Sequence, residues 1–197
     1  MSQETFEIVK TLDLRNIETQ LVLQCAPLIA RLKISNLLNI RRADLHKVRC
    51  ILRGTEISFY ILLSSKEKVT LLLYRKRDME RYLAQPEIQN ILQNMGYACD
   101  SLLMILLQFR LRYEAHMQYR LGFPHEMGIL LGYPLEDVRG FVENQGQNAL
   151  LVGYWKVYSD LTEKQRLFNQ FEQAKELLVQ QISNGVSIVD IIHRMSA

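Results

Sequence analysis

Two sets of side chains in this sequence could carry chemistry. The first is built on Cys25. It stands just before Ala26 and Pro27, and proline suits the first turn of a helix. We therefore read one helix ending near Gln24 and another starting around Cys25. At such a start the helix dipole favours a thiolate. His125 and Glu126 follow Pro124 and fall in the first turn of another predicted helix. The catalytic reading makes Cys25 the nucleophile and His125 its base, with Glu126 or Asp137 orienting the ring. Rapid alkylation of Cys25 is the expected sign. The packing reading makes Cys25 a small apolar filler, His125 a hydrogen-bonded packing residue and Glu126 a counter-charge to the dipole. We favour packing, because no oxyanion-hole motif accompanies the trio. The HExxH zinc pattern fails at Ile129, and no metal site is assigned.

The second set is Tyr133, Asp137, Trp155, Lys156 and Tyr158. An aromatic face with a lysine can stack a planar ring and hold a phosphate or carboxylate. The plainer alternative is a strand with one buried and one solvated side. Neither GxGxxG nor GxxxxGK[ST] occurs, so no glycine loop cradles a phosphate. No cofactor follows from these residues.

The elements that must position these groups run from residue 122 to 160. Pro124 opens a helix that stops at Gly132, a good left-handed terminus. Pro134 opens a second helix, with Glu136 and Asp137 in its first turn and Gly146 at its end. Gly128 and Gly132 lie four apart, on one helical face, where a neighbouring backbone can come close; Gly140 serves similarly on the second helix. ALLVGYWKVYS then alternates with period two and reads as a strand.

FPHEMGILLGYPLEDVRGF followed by GYWKVYSD resembles the signature of a bacterial family, common in anaerobic Firmicutes and described only as a domain of unknown function. The resemblance extends to CAPLIARLK and to NMGY. It implies a small stand-alone cytoplasmic domain and carries no activity with it.

Elsewhere the chain divides readily. Helices are expected over 3–11, 43–54, 77–84, 86–96, 101–119 (capped by Asp100, apolar nearly all round and buried at one end), 161–183 (opened by an Asp160/Glu163 capping pair) and near the C-terminus. Residues 56–64 and 68–76 form an antiparallel hairpin, and 35–40 a further short strand. Cys50 lies on a helix stripe and reads as core. The expected fold is α+β: one domain over 1–197, with a small antiparallel or mixed sheet of three to four strands, WKVY among them, packed with many helices.

Composition narrows the function. With 197 residues the chain can bury a sizeable core. The net charge of +3, from 24 basic against 21 acidic residues, is too small to argue for nucleic acid by itself, and no nucleic-acid partner is expected. The runs Arg41-Arg42 (with His46, Lys47 and Arg49) and Arg75-Lys76-Arg77 read as solvated surface. The apolar run 102–107 is far too short for a bilayer. Three cysteines without a CxxC pair suggest free thiols in the cytoplasm. The expected function is a small cytoplasmic binding or regulatory protein, its partner a small molecule or protein, with a pocket near 122–158. The alternative is a cysteine-dependent enzyme or a metal- or redox-handling protein using Cys25 with His125.

Overall fold

The computed structural model describes residues 2–196. Helices α1 (Gln3–Thr11) and α2 (Ile17–Ile29) lead into strand β1 (Ser35–Arg41). A 3-10 turn (Arg42–Asp44) and α3 (Leu45–Leu52) connect to the hairpin of β2 (Ile57–Ser64) and β3 (Lys68–Arg75). Three helices follow: α4 (Lys76–Leu83), α5 (Pro86–Asn94) and α6 (Leu102–Tyr119). Next come α7 (Glu126–Leu130), α8 (Leu135–Glu143), a minimal hairpin of β4 (Leu151–Val152) and β5 (Lys156–Val157), and finally α9 (Leu161–Ser183) and α10 (Ile188–Ser196). The architecture is α+β, as expected. No helix among the described residues is long and apolar enough to cross a membrane.

β3 lies at the centre of an antiparallel sheet in the order β1-β3-β2. Its alternation feeds two cores, since successive strand residues face opposite ways. Val69, Leu71 and Leu73 join α2, α3, α9 and α10 on one face. Leu72 and Tyr74 join α4, α5, α6 and α7 on the other. A strand apolar on both sides is what a sheet covered by helices on both faces requires. WKVY does not join this sheet. The chain turns back at Gly153-Tyr154-Trp155, where the Gly153 amide donates to the Trp155 carbonyl, so the predicted strand is instead a separate two-stranded hairpin.

Several helix ends differ from expectation. Pro27 does not divide α2. It sits in the last turn, where only one internal hydrogen bond is forfeited. The end is closed by Arg31 at φ 62° and by the Leu32 and Lys33 amides donating to the Pro27 carbonyl. Arg75 adds to this closure. Read as surface, it is buried, donating to the Leu28 and Ile29 carbonyls at 3.0 Å and pairing with Glu56 at 3.0 Å. Ser101, not Asp100, caps α6 through the Met104 amide. Asp160 precedes α9 in a left-handed conformation without a side-chain capping bond. α6 buries Ile105, Leu106 and Phe109 only; Leu103, Met104, Leu107 and Leu111 are exposed, so its apolar start is not enclosed.

Gly132 takes the left-handed conformation read for it, at φ +67°, and a Cβ there would meet Ile34 Cγ1 at 2.7 Å. Gly132→Val should therefore lower stability by about 3 kcal/mol, through backbone strain plus overpacking. A melting temperature equal to that of the wild type would refute this role.

Candidate functional site

The elbow of α7 and α8 is pinned to the sheet at one point. Ser35, the first residue of β1, donates its hydroxyl to the Leu130 carbonyl. Pro124 precedes α7 without being its first residue, because His125 is the N-cap. Pro134 is likewise the residue before α8. Glycine lets the parts close up, but what it admits is a side chain rather than a backbone: a Cβ on Gly140 would meet Tyr158 Cβ at 2.4 Å.

Asp137 fastens the β4–β5 hairpin to this elbow. It is 2% exposed. Its Oδ2 accepts the Trp155 indole N–H at 2.7 Å, and its Oδ1 accepts the Tyr158 and Ser159 amides at 2.8 and 3.2 Å. Hydrogen bonds to an ionised acceptor are stronger than neutral ones, and here all three converge on one buried carboxylate. Trp155 is thereby fixed between Tyr133, stacked at 4.9 Å, and the edge-on ring of Phe168 at 4.6 Å. Beside Asp137, Lys164 is buried against Glu136 at 2.8 Å. Burial works to lower its pKa, and the hydrogen bond and charge of Glu136 outweigh that and hold it up.

Between elbow and hairpin lies a half-open cavity of about 190 Å³. Phe123, Phe141, Tyr133 and Trp155 form much of its wall, and His125, Asp137 and Lys156 supply polar groups. His125 rests between Phe123 and Phe141, at 5.4 and 5.8 Å between ring centres. Its Nδ1 is buried and has no hydrogen-bond partner among the described residues. Buried polar atoms are normally satisfied by protein or ordered water; this one is sealed from the accessible space and stays unsatisfied. Lys156 donates to the Gly146 carbonyl at 2.6 Å and lies 5.8 Å from the Phe141 ring centre.

Four of the five residues read as a ligand face, Tyr133, Asp137, Trp155 and Lys156, thus surround one space. Tyr158 does not line it; its side chain packs on Gly140 and its buried hydroxyl has no partner among the described residues. Phe123, Phe141, Met127 and Val138 were missed. All four stand inside the quoted signature, which runs from Phe123 to Phe141, but an apolar residue on an amphipathic helix reads first as core.

The proposed trio of Cys25, His125 and Glu126 is not assembled. Cys25 is enclosed within α2, in the core on the α2 and α9 face of the sheet, whereas α7 packs on the opposite face. Its sulfur meets the Asn36 amide at 3.7 Å and the Leu37 carbonyl at 3.9 Å. It lies deep in α2 rather than at a helix start, and burial pushes its thiol up to about 12 against the smaller opposing effects of Lys33 and Asn36. Rapid alkylation is therefore not expected of it. Glu126 is also buried, away from His125 in function. It accepts the Tyr97 hydroxyl at 2.8 Å and pairs with Arg112 at 3.4 Å, tying α7 to α6. No group of three or more His, Cys, Asp or Glu suited to a metal occurs among the described residues.

Residues 21–192 match the family described as "Protein of unknown function (DUF3793)". The chain belongs to this family. The match runs from α2 into α10, so the sheet, the elbow, the hairpin and the whole cavity lie inside the part that defines DUF3793. No curated protein and no solved structure matches the chain.

Proposed function

We propose that this protein is a binding or regulatory module whose ligand is a small planar ring carrying one hydrogen-bonding or anionic group. The observation that carries this reading is the half-open cavity of about 190 Å³ walled by Phe123, Tyr133, Phe141 and Trp155, with Lys156 in its lining. Size supports it: a dry apolar cavity of about 150 Å³ is enough to hold benzene, and this one is about 190 Å³. The four aromatic rings supply stacking area, and Lys156 supplies a positive, donating end. A binding role is preferred to an enzymatic one because the oxygens of Asp137 are already taken by three donors, and no cysteine, serine or threonine lines the space among the described residues. The reading extends to one domain over the whole chain and a cytoplasmic setting, which three unpaired cysteines favour. It includes no nucleic-acid partner.

The test uses the protein's single tryptophan, which lies in the cavity wall. Titration with benzoate, nicotinate and cinnamate should give saturable quenching of Trp155 emission for at least one probe. Phe141→Ala should weaken that binding about tenfold. Non-saturating responses to all three, together with no co-purifying small molecule by native mass spectrometry, would sink the reading.

A further inference from the structure

Cys50, read from sequence as core, is exposed on α3. One helical turn earlier on the same face, as the four-residue spacing dictates, stands His46. The sulfur lies 3.7 Å from its Nδ1 and 3.9 Å from its Nε2. Both residues line an open cleft of about 630 Å³ between α3 and the start of α2. The charged groups facing it are Arg15, Arg41 and Lys47 on one side of the balance and Asp13 and Glu18 on the other.

The acids are largely engaged. Asp13 accepts the Arg15 amide at 2.8 Å, and Glu18 accepts the Ile188 amide at 3.1 Å. Asp44, buried below, holds Arg41 at 2.7 Å and lies 3.8 Å from Lys47. The bases are engaged as well, Arg41 and Lys47 by Asp44 and Arg41 also by the Arg15 carbonyl at 3.2 Å, so three acids balance three bases around the cleft. The two remaining thiols are less favoured. Cys25 is sealed in the core, and Cys99 is partly buried, with burial and then the charge of Asp100 raising its thiol.

We propose that Cys50 and His46 form a thiol-exchange site that takes up small disulfides. His46 accepts the Cys50 proton. The resulting thiolate attacks one sulfur of the disulfide, a new sulfur–sulfur bond forms to Cys50, the old one breaks, and one equivalent of the small thiol leaves as its thiolate. The only oxidant consumed is the disulfide itself. A cleft of this volume accommodates a tripeptide-sized adduct.

The experiment uses the full chain with oxidised glutathione as the anionic probe and 2-hydroxyethyl disulfide as the neutral one, read by intact mass and peptide mapping. At pH 7 a single glutathionyl adduct should map to Cys50, forming at least tenfold faster than any at Cys99 or Cys25. His46→Gln should slow it about tenfold and change the shape of its pH–rate profile. Lys47→Gln should leave the rates with oxidised glutathione and with the neutral disulfide close to those of the wild type. Adducts appearing equally fast at Cys99, or a His46→Gln rate equal to that of the wild type, would overturn the proposal. All three positions are exposed on α3, and Cys50→Ser serves as the unreactive control.

Discussion

Asp137→Asn is expected to cost about 3 kcal/mol of stability and to move Trp155 emission to longer wavelength. The replacement keeps size and shape, so any effect comes from its donors and acceptors. Asparagine offers one oxygen and one NH2 group. If the oxygen stays with the Tyr158 and Ser159 amides, the NH2 faces the indole N–H across the 2.7 Å that the carboxylate spans. If the amide flips, the two backbone donors lose their acceptor. Either way a buried donor is stranded and a charged acceptor is lost, each worth roughly 1–3 kcal/mol. Asp137→Ala removes all three bonds and should cost more, about 4 kcal/mol. Urea unfolding gives the stability change, and native emission gives the indole environment. A wild-type midpoint and spectrum for Asp137→Asn would show that the carboxylate does not hold the hairpin. Because Trp155 is one wall of the cavity, both variants should also lose probe binding.

Lys33→Met should stabilise the protein at pH 7 by about 2 kcal/mol. Lys33 is 9% exposed, donates to the Asn36 side chain at 3.0 Å and lies 5.1 Å over the Tyr133 ring; no carboxylate pairs with it among the described residues. Burial lowers its pKa from 10.5 to about 8, against a smaller opposing effect of Cys25. The sign follows from proton counts. Between pH 8 and 10.5 the unfolded chain holds a proton on Lys33 that the folded protein has released, so this residue makes stability rise with pH there. Cys25 acts in reverse. Its thiol keeps its proton when folded up to about 12, against an ordinary 9.0, so it makes stability fall above pH 9. From these two groups the wild type should gain stability from pH 8 to 9, level off, and fall beyond 10.5. In Lys33→Met the rise should vanish and the decline should begin near pH 9. Denaturant midpoints across pH 7–11 check this, and a persistent rise between pH 8 and 9 in the variant would place its origin elsewhere.

Much of this molecule is legible from short-range patterns. The β2–β3 hairpin, the strand at β1 and the limits of α9 follow from β-branched runs, turn residues and helical periodicity. The α7–α8 elbow follows from Pro124, Gly132, Pro134 and Gly146. Legibility failed where tertiary contacts outvote local signals. Pro27 looks like a helix start, yet two carbonyls beyond it are satisfied by Arg75, 46 and 47 residues away in sequence. Cys50 looks like core because Val48 and Leu52 beside it are, but the stripe's edge faces solvent. The ligand face was recognisable as a set of residue types; its closure into a cavity was not, since that depends on Asp137 reaching residues about twenty positions away.

α9 joins parts of the protein that are otherwise distant. Phe168 and Phe171 in its first half touch Trp155, and Leu178 and Val179 near its end belong to the core beneath α2. At 1.5 Å per residue, its 23 residues make a rod of about 34 Å. Such a rod behaves as a beam loaded at two points along its length. Pressure on the tryptophan from an occupied cavity bears on the same member that closes the remote interior, so amide exchange around Leu178 and Val179 should slow when the cavity is filled.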